Sequence, residues 1–160
     1  MDEALEVRMG DRLRERGLTL ATAESCTGGL IGHRITEVAG SSDYYVGSIV
    51  AYSNEIKVDL LHVSRDTLAE HGAVSRATAL EMARGARSVL SADLALSVTG
   101  IAGPGGETPE KPVGLAYIGL AAPDGEWVER HVWSGDRHAN KALSAQVALD
   151  LLMRYLDGDL

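Results

Sequence analysis

Apolar positions along this chain repeat at two spacings, and the two alternate. Leu5, Met9 and Leu13 recur every four residues and predict a helix over Asp2 to Arg16, closed by Gly17. Leu18 to Ala23 then reads as a strand, and Leu30, Ile31, Ile35 and Val38 as the apolar face of a helix over Gly28 to Val38. Tyr45 to Tyr52 is rich in β-branched and aromatic residues and predicts a second strand. Asn54 to Leu61 suits a short helix. Ser64 and Ser75 can cap two more, one ending at Gly72 and one running over Arg76 to Leu90. Leu94 to Val98 is a short apolar strand that runs into Thr99 to Gly106, which reads as irregular. Val113 to Ala121 and Trp127 to Trp133 predict a hairpin about Pro123-Asp124-Gly125. Asp136 can cap a last helix with Leu143, Val147, Leu151 and Tyr155 on one stripe.

Strands alternating with helices predict an α/β fold, and the hairpin makes the sheet mixed. The expectation is a single domain over residues 1–160, a three-layer α/β/α arrangement on a sheet of about five to six strands. No repeat or linker divides it. A chain of 160 residues buries roughly 70% of the surface its unfolded form exposes, enough for a core without staples.

Composition narrows the function. No apolar run is long enough to span a membrane, and the charged start Met1-Asp2-Glu3 is unlike a signal peptide. One cysteine, Cys26, excludes an internal disulfide framework and agrees with a reducing, cytoplasmic setting. The net charge is -8 and Lys and Arg are not clustered, which argues against nucleic acid and acidic membranes as partners. A small anionic ligand stays open, because Gly-rich backbone and one or two Arg can bind phosphate whatever the net charge. No HExxH, paired Cys or tight Asp/His cluster suggests a metal, and none is expected.

Ligands in such sheets bind where strands hand over to helices or loops. Three segments fall there. In Ala23-Glu24-Ser25-Cys26-Thr27-Gly28-Gly29, small residues permit a sharp turn, and a hydroxyl would sit near a helix N-terminus, which stabilises an oxyanion or phosphate. Ser25 or Thr27 could equally just cap the helix. Cys26 competes with Ser25 as nucleophile, since a thiol at a helix N-terminus has a lowered pKa. A cysteine hydrolase needs a base, usually His, and the five histidines are scattered. In Tyr52 to Lys57, a Lys can act as base only when burial or a nearby cation lowers its pKa from about 10.4 toward roughly 7–8. A Tyr hydroxyl beside it could relay the proton, though a strand-end Tyr and a surface Lys are ordinary. Thr99 to Gly106 holds four glycines, and its backbone N–H groups could cradle an anion. Arg137, after Asp136, could reach a phosphate bidentately or lie solvated.

These segments together make the chain resemble the CinA C-terminal domain family, the nicotinamide-nucleotide amidases. The resemblance runs from about Leu5 into the last helix. It rests on Ala23 to Gly29, on Tyr52-Ser53-Asn54 with Lys57, on Thr99 to Pro104, and on Lys111-Pro112-Val113-Gly114. It implies a stand-alone deamidase, without the additional N-terminal domain of fused members. The implied reaction hydrolyses nicotinamide mononucleotide to nicotinic acid mononucleotide and ammonia, with no metal or organic cofactor and in a homodimer or larger assembly. It implies Ser25 as nucleophile, with Tyr52 and Lys57 as catalytic partners. Thr27, Gly28, Gly29, Thr99, Gly100, Gly103, Gly105 and Arg137 are the expected substrate contacts. One departure is Lys141, where the family often has a second Arg. A Lys is a point charge rather than a planar fork.

Two other readings compete. The domain could be a catalytically silent nucleotide-binding or assembly module. It could also be an oxidoreductase like the short-chain dehydrogenases, which use Ser, Tyr and Lys. Their Tyr and Lys lie one helical turn apart, whereas Tyr52 and Lys57 are five positions apart and no N-terminal glycine fingerprint is present.

Overall fold

A computed structural model describes residues 3–160; the predicted helix start at Asp2 lies outside the described residues. The elements follow the order α1 (Leu5–Arg16), β1 (Leu20–Glu24), α2 (Leu30–Thr36), β2 (Tyr45–Val50), α3 (Asn54–Leu61), α4 (Arg65–His71), α5 (Arg76–Val89), β3 (Leu94–Gly100), β4 (Leu115–Ala122), β5 (Gly125–Val132) and α6 (Arg137–Asp157). The strands form one mixed sheet in the order β2-β1-β3-β4-β5. β2, β1 and β3 are parallel, and β4 and β5 complete it antiparallel.

Helices cover both faces, which is the three-layer α/β/α arrangement the pattern predicts. Met9 and Leu13 of α1, Ile31 and Ile35 of α2, and Leu149 and Leu152 of α6 pack on the face carrying Leu94, Leu96, Val98, Ile118 and Leu120. Leu61 of α3 and Met82 and Ala86 of α5 pack on the opposite face, against Ala21, Ala23 and Ala95. Small side chains there let α5 lie close. A Cβ on Gly85 would come 1.9 Å from the Leu61 carbonyl oxygen, so only glycine admits the contact between α5 and α3.

Local signals set the helix starts. The side chains of Ser53, Ser64, Ser75 and Asp136 accept from the backbone N–H groups of Ile56, Asp66, Thr78 and Ala139.

Three expectations are corrected. The stripe Leu143, Val147, Leu151 and Tyr155 is buried only toward its end: Leu151 and Tyr155 are buried and Val147 partly so, but Leu143 is exposed, and Ser144, Ala145, Ala148 and Leu152 join the buried face. A spacing of four drifts by about 40° per step on a helix of 3.6 residues per turn, so the buried face moves off such a stripe. β3 extends through Thr99 and Gly100, which pair with Tyr117 and Ala116, so the irregular loop begins only at Ile101. α2 starts at Leu30, because Gly28 and Gly29 take positive φ values of 60° and 100°. That conformation belongs to a turn and suits glycine. Among the described residues no helix is long and apolar enough to cross a membrane.

Candidate active site

The site lies at the carboxyl ends of the three parallel strands. Glu24, the last residue of β1, stands between Val50 of β2 and Val98 of β3. The segments leaving those strands therefore start side by side: Ser25 to Gly29, Ala51 to Ser53, and Ile101 onward. The Ser25 N–H donates to the Val98 carbonyl at 3.0 Å, and the Gly28 N–H closes a turn on the Ser25 carbonyl at 3.1 Å.

Lys57 reaches this point from the first turns of α3. Its side chain is buried, with 1% exposure. Nζ lies 3.1 Å from Ser25 Oγ, 2.9 Å from the Ala51 carbonyl oxygen and 3.1 Å from that of Tyr52. Burial lowers its pKa from the ordinary value of 10.5, and the neighbouring Cys26 thiol opposes that shift. A neutral amine has two N–H bonds and one lone pair. The two carbonyls can take the N–H bonds, which leaves the lone pair for the Ser25 hydroxyl.

The Tyr52 hydroxyl is not part of this contact. Lys57 meets Ser25 directly, so no relay stands between them, and it is the Tyr52 backbone carbonyl that holds Lys57. The Tyr52 side chain is 66% exposed, and its hydroxyl accepts from Arg137 Nη2 at 3.4 Å. Arg137 Nη1 donates to the Gly103 carbonyl at 2.8 Å. Arg137 and Tyr52 thus meet at the rim, above Ser25 and Lys57.

Between floor and rim is a cavity of about 350 Å³, lined among others by Ser25, Lys57, Val74, Thr99, Ile101 and Arg137. That volume lies in the range of small-molecule sites. Gly100, Gly103 and Gly105 also line it. Thr99 lines it too, but its hydroxyl donates to the Ala73 carbonyl at 2.8 Å.

Thr27, Gly28 and Gly29 lie outside that lining and form the turn behind Ser25. The Thr27 hydroxyl donates to Glu24 Oε1 at 2.7 Å. The N-cap of α2 is Gly29 and makes no side-chain cap bond, so neither Ser25 nor Thr27 caps this helix. The Ile31 and Gly32 N–H groups go to the Glu24 carboxylate at 2.9 and 3.0 Å, not to the cavity. The N–H groups of Cys26 and Thr27 donate to no other described residue. Backbone N–H groups left without a partner beside Ser25 are open to an oxyanion developing there.

Burial disfavours Cys26 as the rival nucleophile, although it lines the cavity beside Ser25. The residue is 9% exposed, and burial pushes the thiol pKa up to about 11, which favours the unreactive protonated thiol at neutral pH. Among the described residues no group of three His, Cys, Asp or Glu could hold a metal.

Glu24 and Asn140 carry site geometry that the sequence pattern did not single out. Asn140 is buried; it donates to the Ala102 carbonyl at 3.0 Å and accepts from the Gly135 N–H at 3.0 Å, tying the glycine loop to the start of α6.

The CinA C-terminal domain family matches residues 2–156. The chain belongs to that family. A CinA-like protein of Salinibacter ruber is 51% identical over 155 residues, covering 97% of this chain and 38% of the relative. One from Citrifermentans bemidjiense is 54% identical over 154 residues, covering 96% and 37%. The chain thus spans under two fifths of the length of these curated relatives. Among solved structures, a CinA superfamily protein from Klebsiella pneumoniae superposes with a TM-score of 0.93 at 33% identity, covering 96% of both chains. The competence/damage inducible protein CihA from Agrobacterium tumefaciens gives 0.89 at 43%, covering 96% of this chain and 93% of that one. The α/β fold of this CinA domain is therefore the fold of its solved relatives.

Proposed function

We propose that this CinA domain is a serine amidohydrolase that converts nicotinamide mononucleotide to nicotinic acid mononucleotide and ammonia. The observation that carries the reading is the buried, hydrogen-bonded contact between Lys57 Nζ and Ser25 Oγ on the floor of a nucleotide-sized cavity. In this reading the lone pair of Lys57 takes the Ser25 hydroxyl proton while Oγ attacks the carboxamide carbon. The oxyanion is met by the Cys26 and Thr27 N–H groups; losing one such donor costs about 10²–10³ in rate. The Lys57 ammonium returns its proton to the departing nitrogen, which leaves as ammonia. Water, deprotonated by the same amine, then hydrolyses the acyl-enzyme and restores Ser25. Arg137 and the backbone from Gly103 to Gly105 take the ribose phosphate.

The test is ammonia release from nicotinamide mononucleotide by the wild type and by Ser25→Ala. Turnover that disappears in the variant supports both the reaction and the nucleophile. A bound nucleotide without turnover in the wild type points instead to a silent binding module. Turnover that survives Ser25→Ala would return Cys26 to the centre of the chemistry.

A further inference from the structure

Glu24 is fully buried, and its neighbours are donors throughout. Oε1 accepts from the Thr27 hydroxyl at 2.7 Å and the Ile31 N–H at 2.9 Å. Oε2 accepts from the Gly32 N–H at 3.0 Å, the Ser48 hydroxyl at 3.3 Å and the Thr22 hydroxyl at 3.4 Å. A carboxylate, which only accepts, suits such a shell. Among the described residues no Lys, Arg or His forms an ion pair with it.

Burying a carboxylate without a cation costs several kcal/mol before its hydrogen bonds offset the loss. Capping a seven-residue helix does not need that, because a neutral Ser or Asn caps as well. What a short cap could not do is reach both ends of one turn. Glu24 grips Thr27 within the turn and Ile31 and Gly32 beyond it, and Ser25 follows it directly in the chain.

Resting on the reading of Ser25 as nucleophile, we propose that Glu24 is a positioning residue. Its carboxylate, acting through the Thr27 hydroxyl and the first turn of α2, fixes the Ser25–Gly29 turn. Ser25 Oγ is thereby held against Lys57. Sub-ångström errors in such a turn matter, since a displacement of about 1 Å can cost about 10²-fold in rate.

Glu24→Gln sets an amide N–H₂ against surrounding donors and endangers the fold, so the decisive variant is the isosteric Thr27→Val. Two rates are read: ammonia release from nicotinamide mononucleotide, and covalent labelling of Ser25 by phenylmethylsulfonyl fluoride, followed by mass spectrometry. The expected result is a fall of about tenfold or more in kcat and in labelling rate, with KM close to wild type and a lowered Tm that leaves the protein folded at the assay temperature. Thr27→Ser should rescue both rates. Labelling of Thr27→Val at the wild-type rate would overturn the proposal. So would a raised KM with kcat unchanged, which would make the Thr27 hydroxyl a substrate contact. If the wild type is labelled but releases no ammonia, the substrate reading fails and the labelling rates alone decide the role of Glu24. If the wild type is neither labelled nor active, Ser25 is not an activated nucleophile and both readings fall; if it is active but unlabelled, the kcat of Thr27→Val decides the role of Glu24.

Discussion

Lys57 Nζ stands 3.1 Å from Ser25 Oγ, with its remaining contacts to the carbonyl oxygens of Ala51 and Tyr52. These partners come from the segments that leave two neighbouring strands, and none is a carboxylate. An amine so placed can accept a proton without first breaking an ion pair. Lys57→Met keeps the length and apolar stem but removes the lone pair. It should lower kcat for ammonia release by about 10²–10⁴, the usual contribution of general acid–base catalysis. Nucleotide affinity, read by calorimetry, should hold. Full activity in Lys57→Met would remove Lys57 as the base.

The same burial sets a pH dependence. Lys57 has a lowered pKa, and the catalytic form is the neutral amine. The rate kcat/KM should therefore rise with pH through that lowered value and level off above it. Stability should move in the same sense. Between the lowered value and about 10.4 the unfolded chain holds a proton that the folded chain does not, so stability rises with pH across that window. The contribution is complete above the unfolded value and is lost as pH falls through the folded one. Melting curves of Lys57→Met should lack this component. A wild-type rate that falls as pH rises through neutrality would contradict the assignment.

What was legible in the sequence was local. Ser64, Ser75 and Asp136 cap the helices that their spacing marks, because each cap bond closes within three residues. The meeting of Ser25 and Lys57 is not local. It depends on the parallel register that sets Glu24 opposite Val50, and only the resemblance to a known family brought the two together beforehand. Glu24 escaped notice for a related reason. Its carboxylate gathers donors from β1, β2, the turn and α2, and no spacing rule predicts such a set. The helix-cap roles open to Ser25 and Thr27 fell once that carboxylate had taken the α2 N–H groups. Tyr52 was expected to close the second strand, which ends two residues earlier at Val50, and pattern could not tell that its carbonyl meets Lys57 while its hydroxyl meets Arg137.

Arg137 is held by the Gly103 carbonyl and approaches the Tyr52 hydroxyl, so its guanidinium is pre-placed at the cavity rim. In the proposed reaction it meets the phosphate, far from the bond that breaks. Arg137→Ala should raise KM for nicotinamide mononucleotide by about ten- to a hundredfold, matching about 1.5–3 kcal/mol for a charged hydrogen bond. The fall in kcat should be much smaller. Nicotinamide riboside, which lacks the phosphate, should be indifferent to the change. Equal losses with both ligands would mean that Arg137 maintains the loop and not the substrate.

Gly85 tests how the site depends on the core beneath it. Alanine in a helix interior ordinarily stabilises by about 0.5–1 kcal/mol over glycine. At Gly85 the added Cβ would stand 1.9 Å from the Leu61 carbonyl oxygen, which is backbone and cannot rotate away. α5 and α3 must then separate, and overpacking of this kind costs about 1–3 kcal/mol, occasionally more. The clash outweighs the propensity, so Gly85→Ala should destabilise in a urea melt. Leu61 ends α3, the helix that carries Lys57. Pushing α3 outward lengthens the Lys57–Ser25 contact, so kcat should fall along with stability while KM, set at the opposite rim by Arg137, changes little. A Gly85→Ala protein more stable than the wild type would show that α3 yields without strain, and the rigid seating of Lys57 would have to come from the Ala51 and Tyr52 carbonyls alone.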